Sequence, residues 1–460
     1  MVGEEHGSFD PAACVAFRSR GWTIDATAGL VRCEYALEFD DGNVVELQEN
    51  YRFAGIDVDR LDESRRRIVG RLLDHLCVIA GLSYYKLAAP AQVFVDHGRW
   101  SAVDAAYHRT LLTNGLGEFS WENDLDLLDP RWSYRSLVND DDEGLVPIIC
   151  ALDNGPLTPV GGGKDSCVSI ELLRRAGFRP TLVTVRRFPV IADVIEASGL
   201  SDVAVDRVLD PSLPSLVKAG ARNGHVPVTA IVTWAALVAA AIGGYDAVVL
   251  SNERSASEGN VVYRNVEINH QWSKGAEAEA LLSEALARIT PNLRAFSLLR
   301  GRSELSIARS FAALGSRYFS TFSSCNGAFR TDPRRRVDRW DATCAKCQFV
   351  FLALATVLSR SQVESIWGAD VFSVSDEAGF DALLGLTEWK PFECVGESRE
   401  CRVALALVSE STDWADHPVV TALVARIRAA GLWPSDQDRV DVLTEATVSL
   451  PWPYAGAVSA

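Results

Sequence analysis

A chain of 460 residues with 23% charged and 48% hydrophobic residues is long enough for two or three globular domains, and its composition excludes a disordered or fibrous protein. The formal net charge of −16 disfavours a nucleic-acid partner, since phosphate backbones are gripped by basic surfaces and a basic run such as Arg334-Arg335-Arg336 is only three residues long. The longest apolar run, 226–242, is too short and too alanine-rich to span a bilayer, and no charged-then-apolar leader precedes the first domain, so a cytoplasmic protein without stable membrane insertion is expected.

The N-terminal domain, 1–145, has a β-rich α+β texture. Residues 30–53 alternate as two antiparallel strands do, with Asp40-Asp41-Gly42-Asn43 as the hairpin turn. A helix is predicted over 64–79, followed by two dense patches, Ser83-Tyr84-Tyr85-Lys86 and Gly115-Leu116-Gly117-Glu118-Phe119-Ser120-Trp121. The acidic run Asp140-Asp141-Asp142-Glu143 reads as a solvated linker.

From 146 to 275 strands and helices alternate. Strands are predicted at 157–160, 181–185, 202–208 and 247–250, with helices at 167–175 and 227–242 between them. This is the pattern of a parallel, doubly wound sheet, whose ligands collect beyond the carboxyl ends of the strands. Beyond 276 the chain reads as mainly helical, over 276–288, 303–314 and 349–358. The ten cysteines lack the dense spacing of a secreted scaffold, and Cys14, Cys33, Cys77 and Cys150 read as reduced core residues.

The most informative stretch is Gly161-Gly162-Gly163-Lys164-Asp165-Ser166, between a strand and a helix. Three glycines let the backbone approach a bulky anion and turn N–H groups toward it, and the helix N-terminus adds positive potential. A Walker loop would place Ser or Thr directly after the lysine, and a dinucleotide fingerprint would place a third glycine where Ser166 stands. An acidic residue among phosphates makes sense if Mg²⁺ lies between them, which makes Asp165 the Mg²⁺ candidate. Further along, 251–274 is unusually polar for a connection leaving a buried strand. It carries Asn252, Glu253, Arg254, Glu258, Asn260, His270, Gln271 and Lys274. Arg254 and Lys274 are candidates to hold carboxylates or phosphates, and His270 to move a proton. Cys325, Cys344 and Cys347 form another cluster. The two-residue spacing in Cys344-Ala345-Lys346-Cys347 suits Zn²⁺, with Cys325 as a third ligand and no fourth evident. The same thiols at a helix start are alternatively proton carriers or nucleophiles, or plain structural cysteines. A last patch is Lys390-Pro391-Phe392-Glu393-Cys394-Val395-Gly396-Glu397.

The hexapeptide 161–166 resembles the Ser-Gly-Gly-x-Asp-Ser loop of the PP-loop ATP pyrophosphatases, with Gly161 in place of the first serine. That resemblance implies a HUP-like domain that splits ATP between its α- and β-phosphates, with all six residues at the nucleotide. The glycine loop together with 115–119, 251–255, 269–274 and 390–397 is similar to the UDP-N-acetylmuramoyl-L-alanyl-L-glutamate epimerases of peptidoglycan synthesis, over about 80–400. What this implies is ATP- and Mg²⁺-dependent inversion of the terminal L-glutamate of a nucleotide-linked dipeptide, through an adenylated carboxylate. The shared patches then make Glu118, Asn252, Glu253, Arg254, Gln271, Cys394 and Glu397 the substrate-binding set. His270, Lys274 and the three clustered cysteines become the catalytic candidates. The same loop also serves adenylating amide ligases and tRNA- or 7-deazaguanine-modifying enzymes. Residues 1–150 show no recognisable glutaminase nucleophile, and the acidic balance opposes tRNA.

Overall fold

The computed structural model of the protein describes residues 9–25, 28–53, 61–126, 128–139, 142–330 and 332–458. Three N-terminal strands, β1 (Cys14–Asp25), β2 (Leu30–Phe39) and β3 (Val44–Phe53), form an antiparallel meander. The β2–β3 turn lies where the Asp-Gly-Asn chemistry predicts it, with Gly42 at φ +85° and Asp41 accepting from the Asn43 N–H at 2.9 Å. β1 went unpredicted because a register shift between Ser19 and Gly21 interrupts its alternation. β4 (Gln92–Val95) and β5 (Arg131–Tyr134) add parallel to β1 and are too short for a periodic signal. Of the acidic run, Asp140 and Asp141 lie outside the described residues, while Asp142 is tied to Arg99 at 2.6 Å and caps Gly144.

The second group of strands is β6 (Pro156–Pro159), β7 (Thr181–Val185), β8 (Asp202–Val208) and β9 (Ala247–Leu250). A separate hairpin follows, β10 (Val261–Tyr263) and β11 (Val266–Ile268), turned by Arg264 and Asn265 at positive φ. β12 (Arg294–Ser297) then adds beside β9, so the region expected to be mainly helical also contributes an edge strand, after its first helix Ala276–Ile289. The full order is β12-β9-β6-β7-β8-β3-β2-β1-β4-β5. Pairing is parallel from β12 to β8, antiparallel from β8 to β1, and parallel again to β5. The sheet crosses the 145/146 boundary without a break. β3 pairs with β8 from Asn50↔Val208 to Phe53↔Val205, and Arg207 reaches the buried Glu49 at 2.6 Å.

Each face of the sheet covers its own core. Val248 and Leu250 of β9 pack with helices Glu63–Ala80 and Val228–Gly243, while Ala247 and Val249 pack with Lys164–Arg175, Glu304–Leu314 and the C-terminal helices. Burial of all four β9 residues is what a strand covered on both sides requires. Among the described residues, no helix is long and apolar enough to cross a membrane.

Along the five parallel strands the chain runs outward from β6 through β7 to β8, then returns to place β9 and β12 on the other side of β6. The order reverses between β6 and β9, and in open α/β sheets the crevice at such a switch point is where ligands sit.

Candidate functional site

A cleft of about 620 Å³ opens at that switch point, floored by the ends of β6 and β9 and walled by 225–233, 251–274 and 324–346. The glycine loop enters it from β6. Gly162 takes φ +81°, and a Cβ there would lie 3.0 Å from Val190 Cγ1; a Cβ on Gly163 would lie 2.8 Å from Ser324 Oγ. The helix predicted from Cys167 begins earlier, at Lys164, because Gly163 supplies an extended N-cap without a side-chain bond to the first turn. Gly161, Gly163, Asp165 and Ser166 face the cleft. Lys164 instead lies buried beneath it, bridging Asp165 at 2.5 Å and Glu304. Asp165, Glu253 and Glu304 bring carboxylate oxygens within 4.8 Å of one another. Burial raises Glu253, and neighbouring Asp165 adds to it; burial likewise raises Glu304, with Asp165 and Glu253 adding to the shift.

The second grouping in the cleft comes from three separate patches. Helix Gly117–Glu122 carries Glu118, the loop after β11 carries His270 and Lys274, and Cys394 comes from the 390–397 patch. Cross-links hold them together. Asn260 accepts from the His270 N–H at 2.8 Å and donates to the Pro391 carbonyl at 2.7 Å, Gln271 donates to the Val395 carbonyl at 3.2 Å, and Trp121 stacks on Phe392. His270 Nδ1 bonds Glu118, and His225 Nδ1 lies 3.6 Å from the same carboxylate, with the two rings 4.4 Å apart.

These neighbours separate the two imidazoles. Burial lowers His225 to about 4, helped by the nearby His270. Burial also opposes protonation of His270, but its hydrogen bonds to Cys394 and Glu118 outweigh that and raise it to about 9. Burial would raise the Cys394 thiol; Lys274, Lys346 and His270 override it and hold it well below the ordinary range. Lys274 is raised despite its burial, by Cys394 and Glu253. The cleft thus shifts His225 toward the neutral form, His270 toward the protonated form and Cys394 toward the thiolate.

Two predicted substrate residues point elsewhere. Arg254 donates to the carbonyls of Thr444 and Asp441, at 3.3 and 3.2 Å, fastening the loop to the C-terminal region. Glu397 is the N-cap of helix Ser398–Glu410, and its N–H donates to Glu400 at 3.1 Å. Asn252, Glu253 and Gln271 do line the cleft. Cys325, Cys344 and Cys347 meet as their spacing suggests, beside the cleft rather than in it, with Asp341 completing the group. All ten cysteines are free; Cys14, Cys33 and Cys77 are buried and Cys150 is half-buried.

His225, Glu304 and Asp341 went unnoticed in the sequence. His225 stands in an irregular stretch before Pro227 with no motif around it, and its one local signal is that it precedes a helix on the ligand edge of the sheet. Glu304 follows the N-cap Ser303 and reads as an ordinary first-turn acid.

The chain matches the MurL N-terminal domain over residues 8–298 and the MurL C-terminal domain over 321–438. A protein of Micromonospora sp. named UDP-N-acetyl-alpha-D-muramoyl-L-alanyl-L-glutamate epimerase is 42% identical over 455 residues, covering 96% of this chain and 98% of that relative. Proteins of the same name from Salinispora tropica and Xanthomonas oryzae pv. oryzae are 41% and 38% identical, covering 89% and 92% of this chain and 88% and 92% of theirs.

Proposed function

Because this chain belongs to the MurL family, we propose that it is an isomerase that inverts the terminal L-glutamate of UDP-N-acetylmuramoyl-L-alanyl-L-glutamate, serving peptidoglycan precursor synthesis. The observation that carries the mechanism is that a phosphate-type glycine loop and a set of oppositely poised proton carriers open into the same cleft.

An α-proton beside a free carboxylate resists removal, because a second negative charge must develop next to the first. Attack of that carboxylate on the α-phosphorus of ATP, with pyrophosphate leaving, would cancel its charge and bring the enolate within reach. The loop at 161–166 and the N-terminus of helix Lys164–Arg175 suit the phosphates. Asp165, Glu253 and Glu304 are hard oxygen donors whose crowding a divalent cation would relieve, so they suit Mg²⁺. Bound there, Mg²⁺ would neutralise phosphate charge.

The proton work falls to the chain's own side chains. His225 and Cys394 both neighbour His270 and are the two candidate acceptors. His225 or the Cys394 thiolate takes the α-proton, and His270, bonded to Glu118 and Cys394, holds the proton that is returned. Lys274 keeps Cys394 anionic and presents a cation to the substrate. Hydrolysis of the acyl adenylate then releases AMP and the inverted carboxylate.

The test is incubation with ATP, Mg²⁺ and the L,L-configured nucleotide dipeptide in D₂O. Deuterium at the glutamate α-carbon together with AMP is the expected result; an amide or thio product, or AMP without exchange, would reassign the reaction.

A further inference from the structure

Beside the cleft, and outside the chemistry just described, the chain gathers three sulfurs and one carboxylate. We propose that Cys325, Asp341, Cys344 and Cys347 form a closed tetrahedral zinc site that fastens the C-terminal wall of the cleft.

The distances suit the ion. Zinc with bonds of about 2.3 Å to sulfur and about 2.0–2.2 Å to oxygen separates tetrahedral ligands by about 3.8 Å for S···S and about 3.5 Å for S···O. Cys325 Sγ and Cys344 Sγ lie 3.9 Å apart, and Cys347 Sγ lies 3.3 Å from Asp341 Oδ1. One ligand atom from each residue fits within 4.8 Å of all the others. Three thiolates favour zinc over a hard cation such as Mg²⁺, and four protein ligands leave no open position, which marks a structural site.

The surrounding backbone is shaped around the point where these atoms converge. Cys344 is the N-cap of helix Ala345–Ala355, and its sulfur accepts from the Cys347 N–H at 3.4 Å, which fixes the sulfur at the helix start. Ala342, between Asp341 and Cys344, holds φ +60°, a left-handed conformation that L-residues avoid, and the Cys344 N–H donates to Asp341 Oδ1 at 3.1 Å across that turn. Gly327 leaves the group room: a Cβ there would lie 3.0 Å from Asp341 Oδ2 and 3.3 Å from Cys325 Sγ.

Residues 315–344 contain only three short 3-10 turns, at Ser316–Tyr318, Asn326–Phe329 and Pro333–Arg335, among their described residues. Such a segment has little regular hydrogen bonding to hold it. Yet Ser324, Asn326 and Lys346, each next to a proposed ligand, line the cleft. Cross-linking Cys325 to the start of the following helix would fix all three.

Zinc analysis, thiol titration and cobalt substitution of the full-length chain test this. One zinc per chain is expected, with three additional thiols becoming reactive on chelation. The Co²⁺ form should show the strong visible bands of a tetrahedral ion and sulfur-to-cobalt charge transfer in the near ultraviolet. Asp341→Asn should lower retained zinc several-fold, whereas Asp341→Cys should keep it and intensify the charge-transfer band. Should cysteine variants fail to fold, the wild-type cobalt spectrum and the Asp341 pair still decide. Protein that takes up no zinc after reloading, a disulfide among these cysteines, or bound cobalt without charge transfer would each overturn the proposal. The last would move the ion to the histidines or carboxylates of the cleft.

Discussion

Among the described residues two pairs of histidines lie in ring contact, and only one of them opens into the cleft. His75 and His108, in the N-terminal part, join Nδ1 to Nε2 at 3.1 Å inside an aromatic box of Trp100, Trp234 and Tyr134. Both are nearly closed off from solvent, and burial pushes both down, His75 to about 3. His225 and His270 are also close together, but Cys394 and Glu118 raise one while burial lowers the other. The contrast teaches that pairing two imidazoles makes a core contact; an acid–base site needs neighbours that drive the pair apart and a cleft that admits a substrate.

The largest effect expected from this contrast is at His270. His270→Asn should reduce α-proton exchange by about 10³–10⁴-fold, the top of the range for a positioned acid or base, while substrate-dependent AMP formation stays measurable. Exchange at the wild-type rate would remove His270 from the reaction. Changing His75 to Gln should instead leave exchange nearly untouched.

The pH dependence sharpens the same point. If His225 must be neutral and His270 protonated, kcat/KM falls as pH drops through about 4 and falls again as it rises through about 9. An inflection at the ordinary imidazole value, in profiles of deuterium incorporation, would contradict the separation.

His75 should show itself in stability. Its folded value, about 3, lies below the ordinary 6.5, so between these values the unfolded chain binds more protons. Its contribution is complete above about 6.5 and is lost as pH falls toward 3, a span worth a few kcal/mol at about 1.4 kcal/mol per unit. Urea midpoints measured from pH 7 to 4 should fall less steeply in His75→Gln; equal slopes would exclude it as the source.

Lys274→Ala should raise KM for the nucleotide dipeptide about tenfold, as expected for one lost charged hydrogen bond of roughly 1.5 kcal/mol. An unchanged KM would leave Lys274 acting through Cys394 alone. The smallest effect concerns Gly161, where a Cβ meets nothing within 4 Å. Gly161→Ser should lower KM for ATP a few-fold through one added hydroxyl donor, worth about 1 kcal/mol; a raised KM would show that phosphate does not approach that face.

What the sequence made legible follows from how far apart the signals lie. The strands at 181–185, 202–208 and 247–250 are found where predicted; burial on both faces marks every residue of β9 and the middle three of β7, whereas in β8 only Val205 is buried. The glycine loop was legible because its chemistry is contiguous. Bringing Glu118, His225, His270 and Cys394 together depends on connections spanning more than 270 residues, which no local spacing records. Arg254 shows the converse: its place in the polar segment leaving the strand at 247–250 suggested a ligand contact, but its guanidinium turns to the Asp441 and Thr444 carbonyls. Asp341 was missed because a carboxylate three residues before a cysteine pair looks like any helix-capping acid.

The seam between β3 and β8 bears on how this protein can be divided. Residues made within the first 53 find their partners only at 205–208, so the ribosome must deliver some 150 further residues before that ladder can close. Until then β3 presents an unpaired edge, the kind of surface that recruits other chains. Cutting the chain near residue 145 would make that condition permanent on both pieces and strand Glu49 away from Arg207. Fragments prepared at that junction should therefore aggregate, and should regain solubility when they are produced together.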